Sequence, residues 1–207
     1  MQQTGLPRIV VMVSGGGTNL QTLIDAIQAG HLPAQIGLVV ANRKAAYALV
    51  RAEKAGIPTL YLSLKAYTDN GKTREAYDAD LGAKIAAVQP DLIVLAGWMH
   101  VLSPAFLDRF VHRVINLHPA LPGEFPGTNA VERAYKAYHR GEIDRSGCMV
   151  HYVVPEVDAG PVLAQAVVHL DLRDNLTDFE SRIHAAEHQL IVQAALLALE
   201  NQSKLPR

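Results

Sequence analysis

The 207-residue sequence predicts an α/β fold: a single-domain, open, mostly parallel twisted sheet with helices on both faces, a late β-hairpin and a long carboxy-terminal helix. Three observations carry this. Short β-branched runs alternate with segments of helical period from residue 8 to about 117. A glycine-rich loop, Ser14-Gly15-Gly16-Gly17-Thr18-Asn19, joins the first strand to the first helix. Beyond residue 147 the alternation stops, and two β-rich segments are joined by a short turn.

The elements follow in order. Arg8–Val13 (RIVVMV) is a buried strand. In NLQTLIDAIQAG the apolar residues Leu20, Leu23, Ile24 and Ile27 recur at helical spacing, and Gly30 closes the helix. Strands follow at Ile36–Ala41 and Ile57–Leu62, with a helix over Ala45–Ala55 between them. The polar stretch from Ser63 is read as a loop that becomes a helix, running to about Val88. LIVLAGWM is the fourth strand, and Ser103-Pro104 reads as an N-cap with proline at the first position of a helix to Phe110. Strand five is Arg113–Leu117, and a helix spans about Asn129–His139. GCMVHYVV and VLAQAVVHL form the hairpin across PEVDAGP. The last helix runs from about Asp178 to Glu200, with Thr177 and Glu180 spaced as a capping box and Phe179, Ile183, Ala186, Leu190, Ala194 and Leu197 as its apolar stripe.

Composition narrows the function classes. The net charge is −1, from 19 basic and 20 acidic residues, so no field favours nucleic acid or an anionic membrane. The single Cys148 excludes an internal disulfide and a cysteine-based zinc site, and reads as a small buried strand residue. The amino-terminal MQQTGLPR is polar and runs into a strand, unlike a secretion signal, and no apolar run approaches the ~20 residues that span a bilayer. A cytoplasmic protein acting on small molecules is the expectation, as a monomer or homodimer.

The richest stretch is HRVINLHPALPGEFPG, residues 112–127. Pro119 biases His118 toward an extended conformation, so Asn116 and His118 point the same way from a strand end. An amide and an imidazole at the carboxyl end of a strand are candidate catalytic groups; the alternative is a polar strand end capping a turn. The glycine loop offers free N–H groups at a helix start, suited to a monophosphate held by Gly16, Gly17, Thr18 and Asn19; the alternative is a tight turn without a ligand. It lacks the lysine of a P-loop, and Leu20 stands where a dinucleotide fingerprint needs glycine. Asp158 sits in ordinary turn chemistry and gains a role only if the fold brings it to His118, where it would raise the imidazole pKa and fix the ring.

The last helix carries His184-Ala-Ala-Glu187-His188, which matches a zinc-peptidase pattern. A third ligand is missing: Glu200 lies about 18 Å along the same helix, so no metal is expected. Glu187 falls on the core-facing side and needs a partner, either a bound cationic group or a buried arginine or histidine. His151 alternates along its strand and is read as structural, and Trp98 as packing near a pocket wall.

The segments SGGGTNLQTLI, LAGWMHVLSPAF, NLHPALPGEFPG, PEVDAGPVLAQ and IHAAEH resemble, in order and spacing, the glycinamide ribonucleotide transformylases of purine biosynthesis, from about residue 8 to 200. That resemblance implies formyl transfer from 10-formyltetrahydrofolate to the amine of glycinamide ribonucleotide, without a metal. It implies Asn116, His118 and Asp158 as the catalytic trio, with Asn116 and a protonated His118 stabilising an oxyanion. Gly16, Gly17, Thr18 and Asn19 would hold the ribonucleotide, and Glu187, with His184 near it, the glycinamide amine. Folate contacts would come from Arg74, from Met99, His100, Val101 and Leu102, from Asn116, and from Val154, Pro155, Glu156 and Val157. A phosphate-binding part at about 8–110 and a folate-binding, catalytic part at about 111–200 would share one domain. His100 departs from the family's usual arginine, Asn129 from a usual histidine, and Ala120-Leu121-Pro122-Gly123-Glu124 from the usual loop. The alternatives are a sibling enzyme using the same folate, such as a sugar-nucleotide formyltransferase or a formyltetrahydrofolate hydrolase, and a non-catalytic phosphate-ligand module.

Overall fold

The computed structural model describes residues 5–204, so the first half of the polar amino-terminal stretch lies outside the described residues. Seven strands form one sheet: β1 (Arg8–Val13), β2 (Gln35–Ala41), β3 (Thr59–Tyr61), β4 (Leu92–Leu95), β5 (Val114–His118), β6 (Arg145–Tyr152) and β7 (Val162–His169). Their order is β3-β2-β1-β4-β5-β6-β7. The first five are parallel; β6 runs antiparallel to β5, and β7 to β6. Strand order reverses between β1 and β4, which opens a crevice at the carboxyl ends of the strands, the usual ligand position in such sheets.

The side chains of β1 show why both faces are covered. Ile9, Val11 and Val13 pack under α1 (Thr18–Gln28), α2 (Tyr47–Lys54) and α7 (Leu176–Lys204). Val10 and Met12 face the other way, toward α4 (Arg74–Ala86) and α5 (Pro104–Leu107), where Tyr77, Leu81, Ile85 and Phe106 are buried. A third cluster, with Ala134, Val168, Phe179 and Ile183, seats α6 (Ala130–His139) between β7 and α7. Among the described residues, no helix is long and apolar enough to cross a membrane.

Several boundaries differ from the sequence expectation. The polar stretch after Ser63 holds a helix of its own, α3 (Leu64–Thr68), capped by the Ser63 hydroxyl, before Thr73 caps α4. β4 stops at Leu95, because Gly97 turns the chain with φ of 79°. Helix α5 has one turn, and Ser103 occupies its N-cap position although its hydroxyl oxygen accepts no cap bond. The cap of α7 also moves. Asn175 and Asp178 exchange reciprocal side chain–backbone bonds at 3.0 and 3.3 Å, two residues before the predicted box.

The close packing of β6 on β7 leaves no room at Gly147, where a Cβ would stand 2.1 Å from the Ala166 carbonyl oxygen. Gly147→Ala is expected to lower stability by about 1–3 kcal/mol, the usual range for overpacking, read as a shift in the urea midpoint.

Candidate active site

β5 delivers Asn116 and His118 to the carboxyl edge of the sheet, and Pro119 ends the strand as its sequence requires. Asp158 reaches them from the β6–β7 turn with φ of 53°, a left-handed conformation that aspartate tolerates better than most residues. Its Oδ2 lies 3.3 Å from His118 Nδ1, and its Oδ1 accepts from Asn116 Nδ2 at 3.2 Å. The Gly127 N–H donates to Oδ2 at 2.8 Å. The fold therefore makes the contact that gives Asp158 its interest.

A further residue enters this cluster. His151 is directly opposite Asn116 across β5 and β6, and is almost fully buried. Its Nδ1 donates to the Tyr152 carbonyl at 2.9 Å, which leaves Nε2 as an acceptor 3.2 Å from Asn116 Nδ2 and 3.4 Å from Asp158 Oδ1. Sequence reasoning gave His151 only a structural place. The antiparallel register, which pairs it with Asn116, was the signal that could have found it.

Proton counting bears on two expectations. Asn116 has two amide protons, and both have protein acceptors, Asp158 Oδ1 and His151 Nε2. An oxyanion can claim one only by displacing a partner. His118 was expected to be held protonated by Asp158. Burial instead pulls its pKa below the ordinary 6.5, and the opposing pull of the Asp158 carboxylate and the Phe125 carbonyl is too small to reverse it. Asp158 goes the other way from its own burial penalty. Burial would raise it, but its hydrogen bonds, that from the Gly127 N–H among them, hold it below the usual carboxylate value. Both His118 ring nitrogens face acceptors, Asp158 Oδ2 at Nδ1 and the Phe125 carbonyl at Nε2, so burial favours the neutral ring while its two neighbours favour the charged one.

This cluster lines a cavity of about 410 Å³. The opposite wall is the Trp98–Leu102 segment, and Val154, Glu156 and Val157 close the side. Met99, His100, Val101 and Leu102 thus stand with the catalytic candidates, as do the departing residues His100 and Asn129. Pro155 and Arg74 do not line it. Arg74 is spent on the protein: its Nε donates to Asp78 Oδ1 at 3.0 Å, and its Nη2 to the Val101 carbonyl. Asp78, fully buried, also accepts from the Ser103 N–H at 2.9 Å. These bonds fasten the cavity wall to α4, a role invisible in the sequence because the partners are 25 residues apart.

The glycine loop lies outside that cavity, at the neighbouring strand end. Gly17 caps α1 with φ of 73°, and a Cβ there would sit 2.5 Å from Ala48 Cβ, so no other residue fits. No side chain caps this helix, and Gly16 and Thr18 are exposed. Asn19 turns inward and donates to Glu187 Oε2 at 3.4 Å. The core-facing Glu187 is partnered by a half-exposed histidine, not by the buried arginine or histidine that was one alternative: His184 Nδ1 lies 2.8 Å from Oε2, and this bond raises the His184 pKa against its partial burial. Cys148 behind it is inert, its thiol pushed up to about 12 by burial first and by Glu187 second.

The profile of one protein family, described as formyl transferase, matches residues 7–195. The phosphoribosylglycinamide formyltransferase of Schizosaccharomyces pombe is 47% identical over 195 residues, covering 90% of this chain and 94% of its own. The Escherichia coli protein of that name is 38% identical over 182 residues, covering 88% and 82%. The crystal structure of glycinamide ribonucleotide transformylase 1 from Symbiobacterium toebii superimposes with a TM-score of 0.88 at 37% identity, covering 96% of this chain and 90% of that one.

Asp78→Asn tests the fastening of the wall. Its amide nitrogen would oppose a donor of Arg74 or Ser103, so about 1–3 kcal/mol of stability should be lost in urea titrations. Trp98 is the chain's only tryptophan and lines the cavity, so its acrylamide quenching should rise in the same variant.

Proposed function

The chain belongs to the formyl transferase family, and on that premise we propose that it transfers a formyl group from 10-formyltetrahydrofolate to the amine of glycinamide ribonucleotide. The observation that carries this reading is the Asn116–His118–Asp158 cluster in the wall of a cavity, one strand end away from an uncapped helix N-terminus. About 410 Å³ is the size of a small-molecule site, and the residues around it include two buried ring nitrogens, Trp98 Nε1 and His100 Nδ1, without a protein partner. A flat heteroaromatic ring with polar edges suits that lining.

Bound folate supplies the electrophilic formyl carbon. His118 in its neutral form, which burial favours, can take the proton that the attacking amine sheds. Asp158 at 3.3 Å then stabilises the imidazolium that forms. Asn116 can re-aim the amide proton it gives the His151 ring toward the formyl oxygen as negative charge grows there. One such donor is typically worth ~100- to 1000-fold in rate. We assign the ribonucleotide phosphate and ribose to Gly16, Gly17, Thr18 and Asn19, and its amine end to Glu187 with His184. The folate falls to Met99, His100, Val101, Leu102, Val154, Glu156 and Val157. Arg74 acts on that wall through Val101, and Pro155 holds the turn. A single formyltransferase domain working in the cytoplasm, as monomer or homodimer, completes the reading, although the cavity draws on residues from both sides of position 110.

Mixing the protein with glycinamide ribonucleotide and 10-formyltetrahydrofolate should change the pterin absorbance with repeated turnover. Intact ribonucleotide binding without turnover would overturn the proposal. Asp158→Asn should lower kcat by roughly 100- to 10,000-fold and leave both KM values within a few-fold. The pH dependence has a definite sign. Protonation removes the base form of His118, and its pKa lies below 6.5, so kcat should fall on the acid side only below the ordinary histidine range.

A further inference from the structure

The carbonyl that His118 uses has a second suitor. His118 Nε2 lies 3.1 Å from the Phe125 oxygen. Arg133 Nη2 donates to that same oxygen at 2.6 Å, and to the Pro126 oxygen at 2.6 Å. Arg133 stands one turn into α6, whose side chains lean back toward its amino terminus and the 125–127 loop. Phe125 has φ of 44°, a strained value for a bulky residue, so the loop needs an external hold. The guanidinium also stacks over the Phe125 ring, 5.8 Å from its centroid. Two residues further, the Gly127 N–H binds Asp158. The loop therefore brackets the His118–Asp158 pair from both sides, and Arg133 is its clamp.

We propose that Arg133 is a positioning residue for the formyl transfer: by holding the Phe125 and Pro126 carbonyls it fixes the acceptor that aims the His118 ring, and with it the loop that binds Asp158. It touches neither substrate in this role. The inference rests on the formyl-transfer reading for its kinetic test alone. The charged or titratable groups facing His118 are Asp158 from the β6–β7 turn, His151 from β6 and Arg133 from α6. Of these, Arg133 and His151 oppose a charge on the ring and Asp158 favours it.

The experiment compares Arg133→Met, which keeps the stem and loses the donors and charge, with Arg133→Lys, which keeps the charge. Two readouts are taken: steady-state kinetics with both substrates, and the NMR titration of the His118 Cε1–H, assigned by its loss in His118→Asn. Arg133→Met should lower kcat about tenfold or more with both KM values within about twofold, and Arg133→Lys should recover most of kcat. The His118 midpoint should move in Arg133→Met, which removes a cation and releases the Phe125 acceptor, and stay near wild type in Arg133→Lys. An unchanged kcat, a change confined to KM, or an unmoved His118 midpoint in Arg133→Met would overturn the proposal. Should Arg133→Met fail to fold, wild-type kcat together with a wild-type pH profile in Arg133→Asn or Arg133→Gln would do the same. The titration needs no substrate, so a wild-type chain without turnover would sink the formyl-transfer reading while the His118 midpoint still judged the clamp.

Discussion

The carboxylate of Asp158 is the joint on which the site depends. It meets an amide from β5, two imidazoles from β5 and β6, and a main-chain N–H from the 125–127 loop. A carboxylate has about four acceptor positions, and the Asn116 amide and the Gly127 N–H each donate to one of them. Leaving nothing unpaired matters in such a cluster, since an unsatisfied buried polar group costs about 1–3 kcal/mol. The strained backbone of Asp158 is tolerated because so many bonds over-determine its position.

Burial and charge pull in opposite directions around this joint, and the outcome sets the chemistry. Burial lowers the affinity of His118 for its proton, whereas at Asp158 hydrogen bonds outweigh burial and favour the charged form. The two therefore differ in readiness: one can accept a proton, and the other can stabilise it once accepted. The same contrast recurs more weakly at Glu187, where a half-exposed His184 gains affinity for its proton from a buried carboxylate.

Much of this was legible in the sequence because it is local. Strand runs, the glycine loop and the Asn116–His118 spacing depend on period 2, period 3.6 and the stereochemistry of proline and glycine. The β1–β5 alternation and the late hairpin were found as expected. What escaped depends on pairs far apart in the chain. His151 belongs to the cluster only through its register with Asn116, and Asp78 matters only because Ser103 and Arg74 converge on it. Arg133 reads as one more charge on an amphipathic helix until Phe125 is seen to turn its carbonyl inward. The downward pull of burial on the His118 pKa was hidden for a related reason: a neighbouring carboxylate can be inferred from a motif, but the depth of burial cannot.

The antiparallel insertion of β6 has a consequence for the order in which the molecule is made. Synthesis from the amino terminus completes β1 to β5, the glycine loop and the Trp98–Leu102 wall before residue 145 exists. At that point β5 is an open edge whose polar groups await β6. The carboxylate that unites the site arrives only when the β6–β7 ribbon has docked, and α7, which carries Glu187, is later still. A nascent chain thus has the strand that carries Asn116 and His118 before it has the groups that complete the proton machinery. The segment from residue 145 onward closes the sheet edge, supplies that machinery and, through α7, covers one face of the sheet.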